Sequence, residues 1–437
     1  MTPAGESPVV IGVRDGRIAS IEAWDGAGPS HPDSAAAETL ELGADVVLLP
    51  GLVDSHVHVC EPGNTEWEGF ATATRAAAAG GVTTIVDMPL DSLPSTVDVA
   101  ALEIKRAAAA GQCLVDVGFW GGVVPDNLAD LAPLRAAGVA GFKCFLGDAG
   151  TPDFPSVSVA QLTGALHALR DLDAPLLVHA ELPAASAPDD PVHTRHYADY
   201  LASRPRGREN LAIAEVIEAA RNTGGRAHIA HLSSSDAVPM IATAKREGVR
   251  LTAETCPHYL TFAAEEIADG DTAFKCGPPI REAANRELLW AALGDGVLEM
   301  VVSDHSPCTV AMKGLDTGDF SDAWGGVSSL QLGLAAVWTG ARQRGFSLAD
   351  VVGWMARGPA DLAGLSAKGR LVAGAAADFA VFDPEATFTV DPAALYHRHP
   401  LTPYAGRTLT GVVRATYLEG RPVDAARPAG RFLTRPT

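Results

Sequence analysis

The chain has 437 residues, 47% of them hydrophobic and 20% charged, a globular composition that excludes a disordered chain, a fibre or a coiled coil. Its 53 acidic against 33 basic residues leave a formal charge of −20. That balance repels phosphate backbones and anionic lipid headgroups, so nucleic acid and membrane are not expected partners. At roughly 100 to 200 residues per domain there is room for one large domain and one smaller one.

The opening MTPAGESPVV has no basic stretch, signal-length apolar run or cleavage site, so no targeting segment is expected and the location is expected to be cytoplasmic. No uninterrupted apolar stretch reaches bilayer length. The six cysteines (Cys60, Cys113, Cys144, Cys256, Cys276, Cys308) form no C-x-x-C pair and read as reduced, buried thiols.

In chain order, residues 1–50 carry short apolar segments cut by turn signals: VVIGV, Asp15-Gly16, RIASIEA and ADVVLL. These are expected to be small strands and hairpins. From 51 to 365 short apolar runs alternate with Ala-rich segments of helical length, the texture of repeated strand–helix units. Eight such runs are expected to be strands: 51–59, 81–88, 114–120, 139–146, 174–180, 226–232, 249–256 and 298–304. The residues from 366 to 437 return to a strand-rich texture in RLVAG, DFAVFD, ATFTV and VVRATYLEG. The expected fold is therefore α/β: a (β/α)8 TIM-like barrel over 51–365, with 1–50 and 366–437 folding together as a small discontinuous β-sandwich domain. An open doubly wound sheet is the alternative, but no G-x-G-x-x-G follows an early strand to favour it.

In such a barrel the chemistry sits at the C-terminal ends of the strands. There the first run ends in His56-Val57-His58, the fourth contains Lys143, the fifth reaches His179, the sixth His231, and the eighth closes on Asp304. Residues i and i+2 of a strand share a face, so His56 and His58 can offer two imidazoles to one cation. An isolated H-x-H is weak; its recurrence with histidines on two later strands makes a metal site the favoured reading. Lys143 stands among apolar neighbours in GFKCF, where a free ammonium is costly to bury. Carbon dioxide captured on that amine would turn it into a carbamate, an anion able to bridge two cations. By strand parity His228 should face away from His231 and be structural; His167 falls on a helix, and His193 and His196 in a polar loop. His258, in CPHY, is a candidate for lining the pocket.

The motifs GLVDSHVHVCEPG (51–63), GFKCF (141–145), LLVHAE (176–181), AHLSS (230–234), ETCPHY (254–259), CGPPIR (276–281), VVSDHSPC (301–308) and AWGG (323–326) resemble, in order and over nearly the whole chain, the cyclic amidohydrolases of the amidohydrolase superfamily, most closely the allantoinases. The resemblance implies that His56 and His58 bind the more buried of two divalent metal ions, His179 and His231 the second, and carboxylated Lys143 both. Asp304 would ligate the buried metal and act as catalytic base. It implies hydrolysis of the ring amide of a small cyclic ureide, allantoin, to allantoate in purine nitrogen catabolism, and a homotetramer. Zinc is the first expectation, with manganese, cobalt and iron also suited to these donors.

Where the dihydroorotases place a carboxylate-clamping arginine, this chain has Cys60, and where hydantoinases and dihydropyrimidinases place a ring-polarising tyrosine, it has Asp148. A hydantoinase or dihydropyrimidinase activity is thus the second reading, and a non-catalytic barrel acting as an assembly module the third. Gly277 and Gly325 match two residues that hold the ring through their backbones in hydantoinases. The resemblance also implies one further strand ahead of VVIGVRDGRIASI, for which this chain is short.

Overall fold

The computed structural model describes residues 6–24, 38–183 and 193–434. Residues 1–5, on which the targeting expectation partly rests, lie outside the described residues, as do 25–37 and 435–437 of the two chain-end regions.

The chain begins with a hairpin, β1 (Val9–Arg14) and β2 (Arg17–Ala23). Asp15 and Gly16 between them both have positive φ, 52° and 73°, as the favoured two-residue hairpin turn requires. β3 (Val47–Pro50) follows. The middle of the chain carries β4 (Leu52–Val57), β5 (Val82–Asp87), β6 (Asp116–Phe119), β7 (Gly121–Gly122), β8 (Phe142–Phe145), β9 (Pro175–His179), β10 (Arg226–Ile229), β11 (Leu251–Thr255) and β12 (Met300–Val301). The last strands are β13 (Phe379–Thr389), β14 (Thr408–Leu418) and β15 (Arg421–Pro422).

β4, β5 and β6 pair in parallel, and so do β7 through β12 in sequence order. β6 and β7 are pieces of one extended run parted by Trp120. Between first and last, Val57 bridges His305 in parallel and the His58 N–H donates to the His305 carbonyl at 2.8 Å. Nearly every residue of these strands is buried, which is why they read as continuous apolar runs and not as alternating ones.

The intervening segments are helical: α1 (Phe70–Ala79), α2 (Val99–Ala109), α3 (Leu131–Ala136), α4 (Val159–Asp171), α5 (Tyr197–Ser203), α6 (Arg206–Thr223), α7 (Val238–Arg246), α8 (Pro257–Thr261), α9 (Ala283–Gly294) and α10 (Gly333–Gln343). Their ends follow side-chain chemistry. Asp98 caps α2 by accepting from the Ala101 N–H, and Ser158 with Gln161 forms a reciprocal capping box on α4. Gly224, left-handed at φ 69°, stops α6. α1, α3, α4, α6 and α7 pack on the parallel strands and α10 on β14, and the buried residues form one large core.

The two chain ends meet. β3 pairs antiparallel with β13, which pairs with β14, and β14 with β15. The β1–β2 hairpin packs on this sheet through Ile18, Phe379, Ala377 and Leu371. Two expectations are corrected. RLVAG is not a strand: Gly374 has φ 88°, its carbonyl accepts from Arg17, and Leu371 turns inward to the small core. DFAVFD and ATFTV are one strand, because Asp383-Pro384 produces a register shift between Asp383 and Thr387, the irregularity by which a strand accommodates a proline that cannot donate. All six cysteines are buried. Among the described residues, no helix is long and apolar enough to cross a membrane.

Candidate active site

The site is assembled at the ends of the parallel strands. His56 lies in β4 and His58 just beyond it, and their rings stand 5.6 Å apart on one face, as strand parity requires. His179 ends β9, and His231 lies two residues past β10. Lys143 sits lower, in β8 opposite Leu177, whereas Phe145 two residues on is opposite His179. Two residues of strand span roughly 6.6 Å, which the lysine stem climbs. Its Nζ lies 5.1 Å from the Phe145 ring, and that ring stacks on His179 at 4.5 Å. Asp304 lies three residues past β12.

These side chains converge. Asp304 Oδ1 is 3.2 Å from His56 Nε2 and 3.5 Å from His58 Nε2. His179 Nδ1 and His231 Nε2 are 3.0 Å apart, and the His56 and His231 rings 5.3 Å. Ligand atoms of His56, His58 and Asp304 all lie within 4.8 Å of one another, a donor set able to hold a cation. Lys143 is fully buried and its Nζ has no hydrogen-bond partner. Burial pushes its pKa below the ordinary lysine value. Burial alone would raise Asp304, but the imidazoles of His56, His58 and His231 hold its carboxyl well below the usual range. His231 and Asp304 both have left-handed backbone, φ 34° and 44°. For non-glycine residues this strain costs on the order of 1–3 kcal/mol and concentrates at functional sites.

Four residues that sequence reasoning passed over support the cluster. Glu254, buried in β11, lies 2.5 Å from His56 Nδ1 and 3.0 Å from His228 Nε2, and its Oε1 accepts from the His231 N–H at 3.3 Å. Asp91 Oδ2 is 2.7 Å from His58 Nδ1. Each carboxylate fixes which ring nitrogen faces the centre, the usual support of a ligating imidazole. Glu181 lies 3.5 Å from His179 Nε2 and is paired to Arg204 at 2.7 Å. A glutamate near the C-terminal end of the expected strand VRLTAETC is a legible signal; Asp91, in a polar loop, offers none. Glu254→Gln is expected to weaken divalent-metal affinity about 10- to 100-fold with the circular dichroism unchanged; a metal titration matching the parent would detach Glu254 from the site.

The parity argument for His228 is corrected. Its ring is buried, bonds Thr252 Oγ1 at 2.7 Å and contacts the same Glu254 that supports His56. β10 ends at Ile229 and the backbone turns left-handed at His231, so a two-residue period does not carry across. His193, His196 and His167 are exposed, the first two beside Asp319 and Asp269.

His258, the second residue of α8, is wholly buried, and neither ring nitrogen has a partner. Burial brings its pKa down to about 4, and its donor atom lies within 4.8 Å of those of Cys256 and Asp304. Gly277 and Gly325 are neighbours: a Cβ on Gly325 would stand 3.8 Å from the Gly277 nitrogen. Neither needs glycine for a positive φ, and a Cβ on Gly277 would stand 3.5 Å from the Arg204 guanidinium. Among the described residues, neither backbone amide nor carbonyl has a hydrogen-bond partner. Trp324, next to Gly325, meets Trp67 edge to face at 4.8 Å. Asp148 is exposed and folds back on the Gly150 N–H.

Residues 47–423 match the Amidohydrolase family, a metal-dependent class, and the chain belongs to it. Among curated relatives, the chain is 53% identical over 439 residues to the allantoinase of Streptomyces avermitilis, covering 100% of this chain and 97% of that one. It is 47% identical over 391 residues to the allantoinase of Saccharomyces cerevisiae, covering 88% and 84%. Among solved structures, an L-hydantoinase (dihydropyrimidinase) from Arthrobacter aurescens superposes with a TM-score of 0.86 at 28% identity over 98% of this chain and 96% of that one.

Proposed function

We propose that this chain hydrolyses the hydantoin-ring amide of allantoin to give allantoate, at a binuclear metal site held by His56, His58, Lys143, His179, His231 and Asp304. The observation that carries the reading is the buried Lys143 amine without a partner, set among four imidazoles and a carboxylate. A cation cannot ligate a cation, whereas an uncharged amine combines with carbon dioxide, forming an N–C bond and releasing one proton. The carbamate then supplies a second anion beside Asp304, between the two pairs of imidazoles. The substrate comes from the allantoinases that the chain resembles along its whole length.

In this reading the parallel strands make a closed (β/α)8 barrel over 51–365, and residues 1–50 with 366–437 a small β-sandwich domain. The Val57–His305 bridge and the β3–β13 pairing support it. His56, His58 and Asp304 would hold one cation, His179 and His231 the other, and carboxylated Lys143 both, with zinc the first choice and manganese, cobalt or iron compatible. When bound, two such ions lower the pKa of a water and polarise the ring carbonyl.

The chain's own residues supply the rest. Asp304, kept ionised by its imidazole neighbours, takes the proton of the attacking water and passes it to the ring nitrogen as the carbonyl carbon–nitrogen bond breaks. The new carboxylic acid releases the water's second proton to solvent, leaving a carboxylate and a free ureido nitrogen. The unpaired backbone groups of Gly277 and Gly325 hold the ring, and His258, uncharged at neutral pH, offers it one donor and one acceptor. Trp67 and Trp324 restrict water at the mouth. The reading extends to a cytoplasmic homotetramer, as the family resemblance implies.

Turnover of allantoin, hydantoin and dihydrouracil on one preparation tests the substrate. Allantoin is expected to be preferred by at least about tenfold in kcat/KM; a preference for either unsubstituted ring would overturn the proposal in favour of a hydantoinase or dihydropyrimidinase.

A further inference from the structure

The segment joining β12 to α10 contains a lysine in an unusual place. Lys313 is only 2% exposed, and among the described residues no carboxylate pairs with it. A buried ammonium without a counter-ion is costly unless its protons are all taken. Here they are: Nζ donates to the carbonyls of Lys275 at 2.9 Å, Trp324 at 2.9 Å and Gly326 at 2.5 Å. An ammonium has three protons, and each goes to main chain. Burial draws its pKa down to about 8.

The three carbonyls belong to two segments, and these flank the two glycines of the candidate ring cradle. Lys275 stands two residues before Gly277; Trp324 and Gly326 bracket Gly325. Other bonds join the same segments. The Gly326 N–H donates to the Lys275 carbonyl at 2.9 Å, the Trp324 N–H to the Met312 carbonyl at 2.8 Å, and Thr272 Oγ1 to the Lys313 carbonyl at 2.6 Å. Half-buried Lys275 returns its own Nζ to the carbonyls of Ala323 at 2.5 Å and Ser321 at 3.1 Å. The residues on either side of Gly325 thus have both amide and carbonyl bonded, whereas among the described residues the amides and carbonyls of the two glycines have no hydrogen-bond partner.

We propose that Lys313 is a positioning residue that fixes the Gly277 and Gly325 backbones at the spacing which binds the substrate ring, and so sets substrate affinity without touching substrate or metal. It rests on the reading that these backbones hold the ring. A compact ammonium suits the task, because its three donors reach carbonyls in three directions where the planar fork of an arginine would not. Removing it leaves the Trp324 and Gly326 carbonyls without that donor and the Lys275 carbonyl with the Gly326 N–H alone, and lets the 321–326 segment drift from 275–277. The imidazole cluster, built on the strands, makes no hydrogen bond to Lys313 and keeps its place.

The test is Lys313→Met in the full-length, metal-loaded enzyme, with kcat and KM for allantoin measured beside metal content and circular dichroism. KM is expected to rise at least tenfold, with kcat within about threefold of the parent and metal content unchanged. A KM within twofold of the parent overturns the proposal. So does a fall in kcat accompanied by loss of metal, which marks a merely structural lysine. Should Lys313→Met fail to fold, Lys275→Met decides: it loosens the same segment from a half-buried position, so an increase of about threefold or more in KM supports the proposal and an unchanged KM overturns it. If the parent enzyme itself opens hydantoin or dihydrouracil and not allantoin, the substrate reading has failed on its own, and the same comparison is made with the ring that is opened.

Discussion

Asp304→Asn is expected to lower turnover of allantoin by roughly a thousandfold or more, while the protein keeps its fold and still binds divalent metal. Asparagine preserves the shape and one carbonyl oxygen for ligation but cannot accept a proton, and positioned proton transfer contributes about 10²- to 10⁴-fold. The Asp304 carboxylate stands beside the imidazoles. Its Oδ1 faces His56 and His58 at 3.2 and 3.5 Å and accepts from Ser306 Oγ at 3.0 Å. Its backbone is left-handed, φ 44°. Metal analysis and steady-state kinetics on the same sample check the outcome. Near-normal turnover would remove Asp304 from the base role, and loss of both metals would make it a ligand above all.

How far the sequence could carry the site depends on whether the backbone stays regular. His56 and His58 obey strand parity because β4 remains extended through Val57. His179 was equally readable, as the last residue of a five-residue buried strand. At His231 the same rule fails, since β10 stops two residues earlier and φ becomes 34°; parity therefore parts His228 from the cluster although it shares Glu254 with His56. Run eight reads as seven residues of strand, but only Met300 and Val301 pair as one, because the chain bends away to place Asp304.

The supporting residues were harder to read for a different reason. Asp91 meets His58, and Lys313 meets Gly326, across loops that no local pattern relates. Lys313 reads as an ordinary charged loop residue until its burial is seen. The chain ends were legible as strands wherever alternating apolar residues and a turn dipeptide coincided, as at Asp15-Gly16. They misled at RLVAG, where inward packing of Leu371 and a positive φ at Gly374 overrode strand-like composition.

Lys143→Met carries the second large effect. Methionine matches the stem in length and apolar character, so the pocket below Phe145 and His179 stays filled. It cannot take up carbon dioxide. Without the carbamate, the two halves of the cluster, His56 with His58 and His179 with His231, lose the anion that would join them. Metal content is expected to fall from two ions per chain to one or none, and turnover by about a thousandfold or more, with the thermal midpoint before metal addition unchanged or raised, because an unpartnered buried amine has been replaced by an apolar group. The parent enzyme supplies the matching control. Stripped of metal at mildly acidic pH, where a carbamate decomposes, it should recover activity on metal addition only when bicarbonate is also present. Full recovery of the parent in carbon-dioxide-free buffer, or a Lys143→Met protein that still holds two metals, would show that Lys143 serves as a plain amine and that the cluster binds its ions by some other anion.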